Sequence, residues 1–149
     1  MAVIAAARLN GLKDANTTEV NPNTPHPVID LMEHQRTVTD KGGTMRLGDY
    51  PCVIDAQSKV GKAYGETEVM ERHRHRWEVN NNYRDRLQAA GLKFVGMSPD
   101  KKLVEIIELA NHPFMVASQF HPEFKSRPRR PHPLFNAFMA AAKTYQAKN

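Results

Sequence analysis

Apolar residues at helical spacing predict a helix at the beginning of the chain and another at its end. The first helix is predicted over residues 1–12, and Gly11 is expected to end it. Its apolar positions are Val3, Ile4, Ala7 and Leu9. The second helix is predicted over residues 132–146. Its inward-facing positions are Leu134, Phe135, Phe138 and Ala142.

Between these terminal helices, short apolar runs predict several strands. The strands are expected at residues 28–32, 52–56, 93–98, 103–109 and 114–120. Gly42–Gly43 and Gly48–Asp49 are turn signals of the kind that join hairpin strands. A further helix over residues 81–92 should end at Gly91, the usual left-handed residue after a helix. The whole pattern describes one α/β unit over residues 1–149, without internal repeats or an interdomain linker.

The segment over residues 66–80 is predicted to be extended, with alternating side chains. Arg72, Arg74 and Arg76 fall on one side, and His73, His75 and Trp77 fall on the other. Three guanidinium groups on one face can clamp a carboxylate or a phosphate with paired hydrogen bonds. A solvated edge strand or a nucleic-acid-binding patch is the alternative interpretation. No spacing of histidine or cysteine supports the two imidazoles as metal ligands, so no metal site is expected.

Composition and charge narrow the class of protein. With 149 residues, 40% of them hydrophobic and 25% charged, the chain has the composition of one soluble globular domain. No apolar run approaches the roughly 20 residues that span a bilayer, so no membrane association is expected. The net charge of +5 permits an acidic partner. Few aromatic residues are interleaved for base stacking and no recognised binding motif is present, so we expect no nucleic acid partner.

The single cysteine, Cys52, is expected to be structural. One cysteine excludes an intramolecular disulfide framework, which favours a reducing, cytoplasmic location. A catalytic thiolate sits on a sharp turn with small neighbours whose N–H groups can form an oxyanion hole. Cys52 instead follows a proline and precedes β-branched residues, as in a strand that enters a core. We therefore predict that it is inert and buried.

His121 and Glu123 are the candidate acid–base pair. They follow the strand predicted at residues 114–120, which is expected to be buried and to run directly into His121. Residues two apart in an extended segment point to the same side, so the carboxylate can bond one imidazole nitrogen and leave the other to accept a proton. A strand-end histidine beside a solvated glutamate is the simpler interpretation of the pair taken alone. Its position at a strand end, where α/β proteins place their chemistry, favours catalysis.

Four stretches together resemble the C-terminal glutaminase domain of the CTP synthase family. They are GGTMRLG at 42–48, ERHRHRWEVN at 71–80, the segment 103–124, and HPLF at 132–135. The first two distinguish this family from other class I glutamine amidotransferases, which share little more than the His-Pro-Glu element. The resemblance implies a partial flavodoxin-like α/β fold. It would have an open, mostly parallel sheet flanked by helices, with β-hairpin additions and with its first strands missing.

The same resemblance assigns roles to four residues. The family releases ammonia from glutamine with a Cys–His–Glu triad and uses it, with ATP, to convert UTP to CTP. His121 matches the general base, and Glu123 matches the acid that orients it. Arg76 matches the residue that holds the glutamine carboxylate, and Glu19 matches the glutamate that contacts the substrate amino group. One cation and one anion placed apart would fix the orientation of a zwitterion.

The nucleophile and the family's other domain are not found in this sequence. The family's nucleophile elbow, G-x-C-L-G-M-Q, would precede Met1, so residues 1–149 are expected to be the C-terminal part of a glutaminase domain. The amidoligase domain is absent too, with its ATP, UTP and magnesium sites, so no cofactor is expected here. We expect the chain alone to be inactive. Its expected partners are glutamine and the missing segments, in cis or as a separate chain, within an oligomeric enzyme. A non-catalytic remnant that binds glutamine or another protein is the alternative.

Overall fold

The structure of the protein, a computed structural model, describes residues 1–32 and 45–148. Its helices are α1 (Ala2–Leu9), α2 (Lys59–Tyr64), α3 (Arg84–Ala89) and α4 (Pro133–Gln146), with 3-10 turns at Asn81–Tyr83 and Pro122–Lys125. Its strands are β1 (Asn16–Thr17), β2 (Pro27–Asp30), β3 (Arg46–Ile54), β4 (Glu68–His75), β5 (Glu78–Val79), β6 (Leu92–Met97), β7 (Val104–Leu109) and β8 (Val116–Ser118). No helix in this part of the chain is long and apolar enough to cross a membrane. The turn predicted at Gly42–Gly43 lies outside the described residues.

The strands form two sheets, and nearly all neighbouring strands in them are antiparallel. Five strands follow the order β4-β3-β6-β7-β8, and three follow the order β1-β2-β5. Among the described pairs only β1 and β2 run parallel. The α/β class is confirmed, but the described strands do not form the expected mostly parallel sheet. Short turns join β6 to β7 and β7 to β8, whereas a parallel pair needs a crossover of about a dozen residues or more.

The first hydrophobic core lies between α1 and the strands of both sheets. Helix α1 buries Val3, Ile4 and Ala7 as predicted. Leu9 is 86% exposed, so its assignment to the apolar face was wrong. Since a helix turns by about 100° per residue, Leu9 lies on the side opposite Ala7. Gly11 follows the helix with a φ of +82°, in the left-handed region that favours glycine.

Strand β3 is longer than the sequence indicated. Gly48–Asp49, predicted to be a hairpin turn, lies inside this strand, and residues 52–56 contribute only its end. Successive residues of β3 pair with β4 from Arg46 opposite His75 to Val53 opposite Glu68. Gly48 remains in this ladder with a φ of +105°, which glycine tolerates. Cross-strand pairing here outweighs the local preference of Gly-Asp for a turn.

Strand β8 is shorter and less buried than predicted. The strand expected over residues 114–120 is formed only by Val116–Ser118, and these residues are half-buried. The chain then leaves the ladder, and Phe120 packs into a second core around Cys52. His121 therefore begins a 3-10 turn instead of continuing a strand.

Helix α4 forms where it was predicted, but most of its apolar side chains face outward. Of the four positions expected to be buried, Leu134 alone packs into the second core. Phe135 and Phe138 are 40% and 55% exposed, and Ala142 is also exposed. Within the described part of the chain, α4 packs chiefly against α2, which leaves its outer face uncovered.

Candidate active site

Strand β4 alternates between buried and exposed side chains, as predicted. Arg72 and Arg74 are exposed, whereas His73 is fully buried and His75 is half-buried. The strand ends at His75, so Arg76 lies in the bend that follows and does not continue the exposed row. The three arginines are therefore not one flat clamp, because the last of them has left the strand.

The side chains of His121 and Glu123 are in direct contact. The Nδ1 atom of His121 lies 2.7 Å from Oε1 of Glu123. Since a carboxylate only accepts hydrogen bonds, Nδ1 carries the hydrogen, and in the neutral ring the lone pair is then on Nε2. This hydrogen bond holds the pKa of Glu123 below its ordinary value, which keeps the carboxylate ionised. The 3-10 turn at Pro122–Lys125 brings the pair together, not the extended segment that we expected.

The His121 segment is attached directly to strand β4. The backbone N–H of His121 donates to the carbonyl oxygen of Arg72 at 2.9 Å. Its ring stacks on Phe124 with ring centroids 4.9 Å apart. The ring is still partly open to solvent, with 38% of the side chain exposed. The imidazole is thus held in place while part of its side chain remains open to solvent.

Glu19 and Arg76 line one cavity, although they are far apart in sequence. The cavity has a volume of about 520 Å³ and is also lined by His75, Trp77 and Gln119. Its size falls within the range of small-molecule sites. A carboxylate and a guanidinium on the wall of one cavity can receive the two charged groups of an amino acid. The structure thus places Glu19 and Arg76 on one cavity. Gln119, which also lines it, is two residues before His121 in sequence.

A buried charge network that sequence reasoning missed contacts His75, one of the residues that line this cavity. Nη1 of Arg46 lies 2.8 Å from Oε1 of Glu105 and 3.5 Å from Oε1 of Glu78. Burial raises the pKa of Glu78 to about 7 and also raises the pKa of Glu105. Burial and the Arg46 charge lower the pKa of His73 to about 3 and that of His75 to about 4. Both imidazoles are therefore neutral at pH 7.

The hydrogen bonds of the two histidines define their tautomers. Nδ1 of His75 lies 3.2 Å from the carbonyl oxygen of Trp77 and must donate to it. Nε2 of His75 is then the acceptor for Nδ1–H of His73, at 2.8 Å. The remaining nitrogen of His73 carries a lone pair 3.7 Å from Oε2 of Glu105, without a hydrogen-bond partner.

The described ranges contain one group of side chains with the composition of a metal site. His73, His75 and Glu105 each offer a ligand atom, and these atoms lie within 4.8 Å of one another. Arg46 already supplies a positive charge to Glu105, and the two imidazoles bond to each other. Since a second cation would be repelled by Arg46, we assign this group to the support of strand β4.

A second buried cluster anchors helix α4 to strand β4. Nδ1 of His132 accepts the N–H of Leu134 and so caps the helix, at 3.2 Å. Nε2–H of the same ring donates to Oε1 of Glu71 at 2.9 Å, and the hydroxyl of Tyr64 donates to that oxygen at 2.7 Å. Glu71 directly precedes Arg72, so this cluster also fixes the strand to which His121 is bonded.

Cys52 is buried, as predicted from its neighbours in sequence. Its side chain is fully buried in the second core, beside Ile54 and Val60. Burial raises the pKa of its thiol to about 12, and the negative charges of Glu105 and Glu71 add to the effect. The only cysteine of this sequence is thus neither ionised nor accessible.

We predict that Cys52 does not react with a thiol reagent in the folded chain. With a pKa near 12, only about one thiol in 10⁴ is ionised at pH 8, and burial slows access further. Labelling with Ellman's reagent should be negligible in buffer and complete in concentrated guanidinium. Rapid labelling of the folded chain would show that Cys52 is not packed as described.

The chain matches a family model and several curated proteins. The model of glutamine amidotransferase class-I matches residues 2–141. The CTP synthase of Moorella thermoacetica is 60% identical over 143 residues, which make up 95% of this chain and 27% of that protein. The CTP synthase of Chloroflexus aurantiacus is 63% identical over 142 residues, or 95% of this chain and 26% of that protein. The chain spans about a quarter of the length of these curated relatives.

A solved structure supports the same family. The glutaminase domain of Trypanosoma brucei CTPS with bound acivicin aligns with a TM-score of 0.88 and 38% sequence identity. The alignment covers 96% of this chain and 56% of that one. The class I amidotransferase fold expected from the sequence motifs is therefore confirmed. The chain belongs to the class I glutamine amidotransferase family, and its similarity to CTP synthases extends over nearly its whole length.

Proposed function

We propose that this chain contributes the general base, its orienting carboxylate and the glutamine-binding groups of a CTP synthase glutaminase site. The observation that carries this proposal is the 2.7 Å contact between His121 and Glu123. His121 lies two residues after Gln119, which lines the same cavity as Glu19 and Arg76. A catalytic dyad next to a pair of opposite charges suits an amino acid substrate with a reactive side chain.

Glutamine would be held at its two charged ends. The Arg76 guanidinium would bind the α-carboxylate with paired hydrogen bonds, and the Glu19 carboxylate would bind the α-ammonium group. With both ends held, the side-chain amide has one direction in which to extend. This orientation would present the amide to the dyad in the geometry that attack requires.

His121 would transfer a proton in both directions during the reaction. Its Nε2 takes the proton of a thiol, and the sulfur attacks the amide carbon of glutamine. The imidazolium then gives this proton to the departing nitrogen, which leaves as ammonia. Water attacks the resulting thioester, with Nε2 again as the base, and releases glutamate. Glu123 remains ionised and stabilises the imidazolium each time it forms.

The thiol of this reaction has to come from residues outside this chain, in cis or on a separate chain. Cys52 is the only cysteine of the sequence, and it is buried in the second core. We therefore expect the 149-residue chain alone to leave glutamine intact. ATP, magnesium and UTP would likewise bind elsewhere in a complete, oligomeric enzyme. A cytoplasmic location is part of this proposal.

A chimeric enzyme tests the proposal directly. In this chimera the chain replaces the matching 143 residues of the Moorella thermoacetica CTP synthase. We expect it to form CTP from UTP and ATP with either glutamine or ammonia as the nitrogen source. The isolated chain should release no glutamate from glutamine above the background rate.

The ammonia reaction separates the proposal from its alternative. Ammonia bypasses the glutaminase site, so CTP formation from ammonia shows that the rest of the chimera is intact. A chimera that uses ammonia but not glutamine would sink the proposed function. That result would favour a non-catalytic module that binds glutamine or another protein.

A further inference from the structure

Trp77 contacts each of the segments that build the candidate site. Its indole N–H donates to the hydroxyl oxygen of Thr18 at 3.2 Å. Its carbonyl oxygen accepts from the Gln119 carboxamide and from His75, at 3.2 Å in both cases. The Arg76 guanidinium carbon lies 5.7 Å from the centroid of its ring. The side chain and the carbonyl of Trp77 thus connect the bend at Arg76 with the segments of Thr18 and Gln119.

The bond to Thr18 is the part of this arrangement that reaches Glu19. The Thr18 hydroxyl donates to Oδ1 of Asp30 at 2.7 Å, so its hydrogen is committed there and its oxygen accepts from the indole. The backbone N–H of Glu19 donates to the hydroxyl of Thr17 at 3.2 Å. Glu19 therefore directly follows Thr18, whose side chain is hydrogen-bonded both to Asp30 on β2 and to Trp77.

We propose that Trp77 is a positioning residue that sets the placement of the Glu19 carboxylate relative to the Arg76 guanidinium. The inference rests on the proposed function, since it concerns how glutamine is recognised. Trp77 takes no part in proton transfer or in bond breaking. Its indole N–H fixes the Thr17–Glu19 segment, while its ring and its position in the chain fix Arg76. It thereby holds in place the two charged groups that would receive the α-ammonium and α-carboxylate groups of glutamine.

This role affects one end of the substrate more than the other. Glutaramate has the carboxylate and the side-chain amide of glutamine but lacks the α-amino group. It would use Arg76 and the dyad but not Glu19. Loosening the Trp77–Thr18 bond should therefore weaken the use of glutamine and leave that of glutaramate nearly unchanged. A general loss of packing would affect both substrates alike, so the ratio of the two distinguishes positioning from stability.

The experiment compares kcat/KM for glutamine with kcat/KM for glutaramate in the chimeric enzyme. Trp77→Phe keeps an aromatic ring and the backbone carbonyl but removes the indole N–H, and Thr18→Val removes the other partner of the same bond. Each variant should lower the glutamine-to-glutaramate ratio about 10-fold, mainly through KM for glutamine. The double variant should lose little more than Thr18→Val alone, because Thr18→Val already removes the bond to Trp77 together with the bond to Asp30. Thr144→Val, an exposed threonine on α4, is the matched control and should leave the ratio unchanged.

The possible results separate this inference from the proposed function. An unchanged ratio in both single variants, or losses that add fully in the double variant, would overturn the role of Trp77. A wild-type chimera that does not discriminate between the two substrates would also overturn it. A wild-type chimera that uses ammonia but hydrolyses no glutamine overturns the proposed function itself. If Trp77→Phe does not fold, Thr18→Val tests the same bond from its other side.

Discussion

Replacing His121 by alanine should lower glutamine-dependent CTP formation by the chimeric enzyme at least about 10³-fold. Without the imidazole, no group at this position can take the proton of the attacking thiol or return it to the departing ammonia. Ammonia-dependent CTP formation should remain within about twofold of wild type, since ammonia enters after this step. The measurement is the initial rate of CTP formation with each nitrogen source at saturating UTP and ATP.

Two further variants show whether the effect belongs to the dyad. Glu123→Gln retains an oxygen that can accept from Nδ1 but removes the charge that stabilises the imidazolium, so we expect a smaller loss of about 10-fold to 100-fold. His112→Ala removes an exposed histidine on the loop before β8 and should have no effect. Equal losses with glutamine and with ammonia would show that His121 holds the fold together and is not the base.

Replacing Arg76 by alanine should raise KM for glutamine about 100-fold while kcat changes much less. Hydrogen bonds to a charged group contribute about 1.5–3 kcal/mol, so a 100-fold effect, or about 2.8 kcal/mol, corresponds to the weak end of the range for two such bonds to one carboxylate. The carboxylate is not part of the bond that breaks, so its binding energy is present in the ground state as well as in the transition state. Glutamine titrations of the glutaminase rate measure both constants.

The arginine series also tests the geometry of the bend after β4. Arg76→Lys should raise KM about 10-fold, because an ammonium group keeps the charge but not the paired hydrogen bonds. Arg129→Ala removes an exposed arginine outside the cavity and is the matched control. If Arg76→Ala leaves KM for glutamine unchanged, the carboxylate is bound elsewhere, and the assignment of this cavity to glutamine is wrong.

Local sequence predicted the dyad but not how it forms. His121 and Glu123 are two positions apart, so almost any compact turn brings the side chains together, and their contact did not depend on the predicted strand. Glu19 and Arg76 are far apart in sequence. Only the family resemblance predicted that both residues belong to one site, because the periodicity of apolar residues does not show which loops are adjacent in space. The structure places them on one cavity, and their roles remain predictions.

The buried charges were missed because pattern-based reasoning counts charged residues as exposed. Glu78 and Glu105 lie on different strands, and each is buried because Arg46 arrives from a third. Such a network is visible only when the strand order is known. The same limit applies to Gly48, which pairs with β4 in spite of its preference for a turn. It also applies to Phe138, because helical spacing does not show which face of a helix packs against the rest of the protein. These outcomes depend on tertiary contacts, which outweigh local propensity.

Trp77 is the only tryptophan of the sequence, and it lines the same cavity as Glu19 and Arg76. Indole fluorescence responds to the polarity and charge around the ring, so the emission of this chain reports on a single place in the molecule. That place lies under the guanidinium that we assign to the substrate carboxylate. Binding of a ligand in this cavity can therefore be followed by intrinsic tryptophan fluorescence, without a label and without turnover. Recognition of the amino acid thus becomes observable separately from the chemistry that a thiol would perform on it.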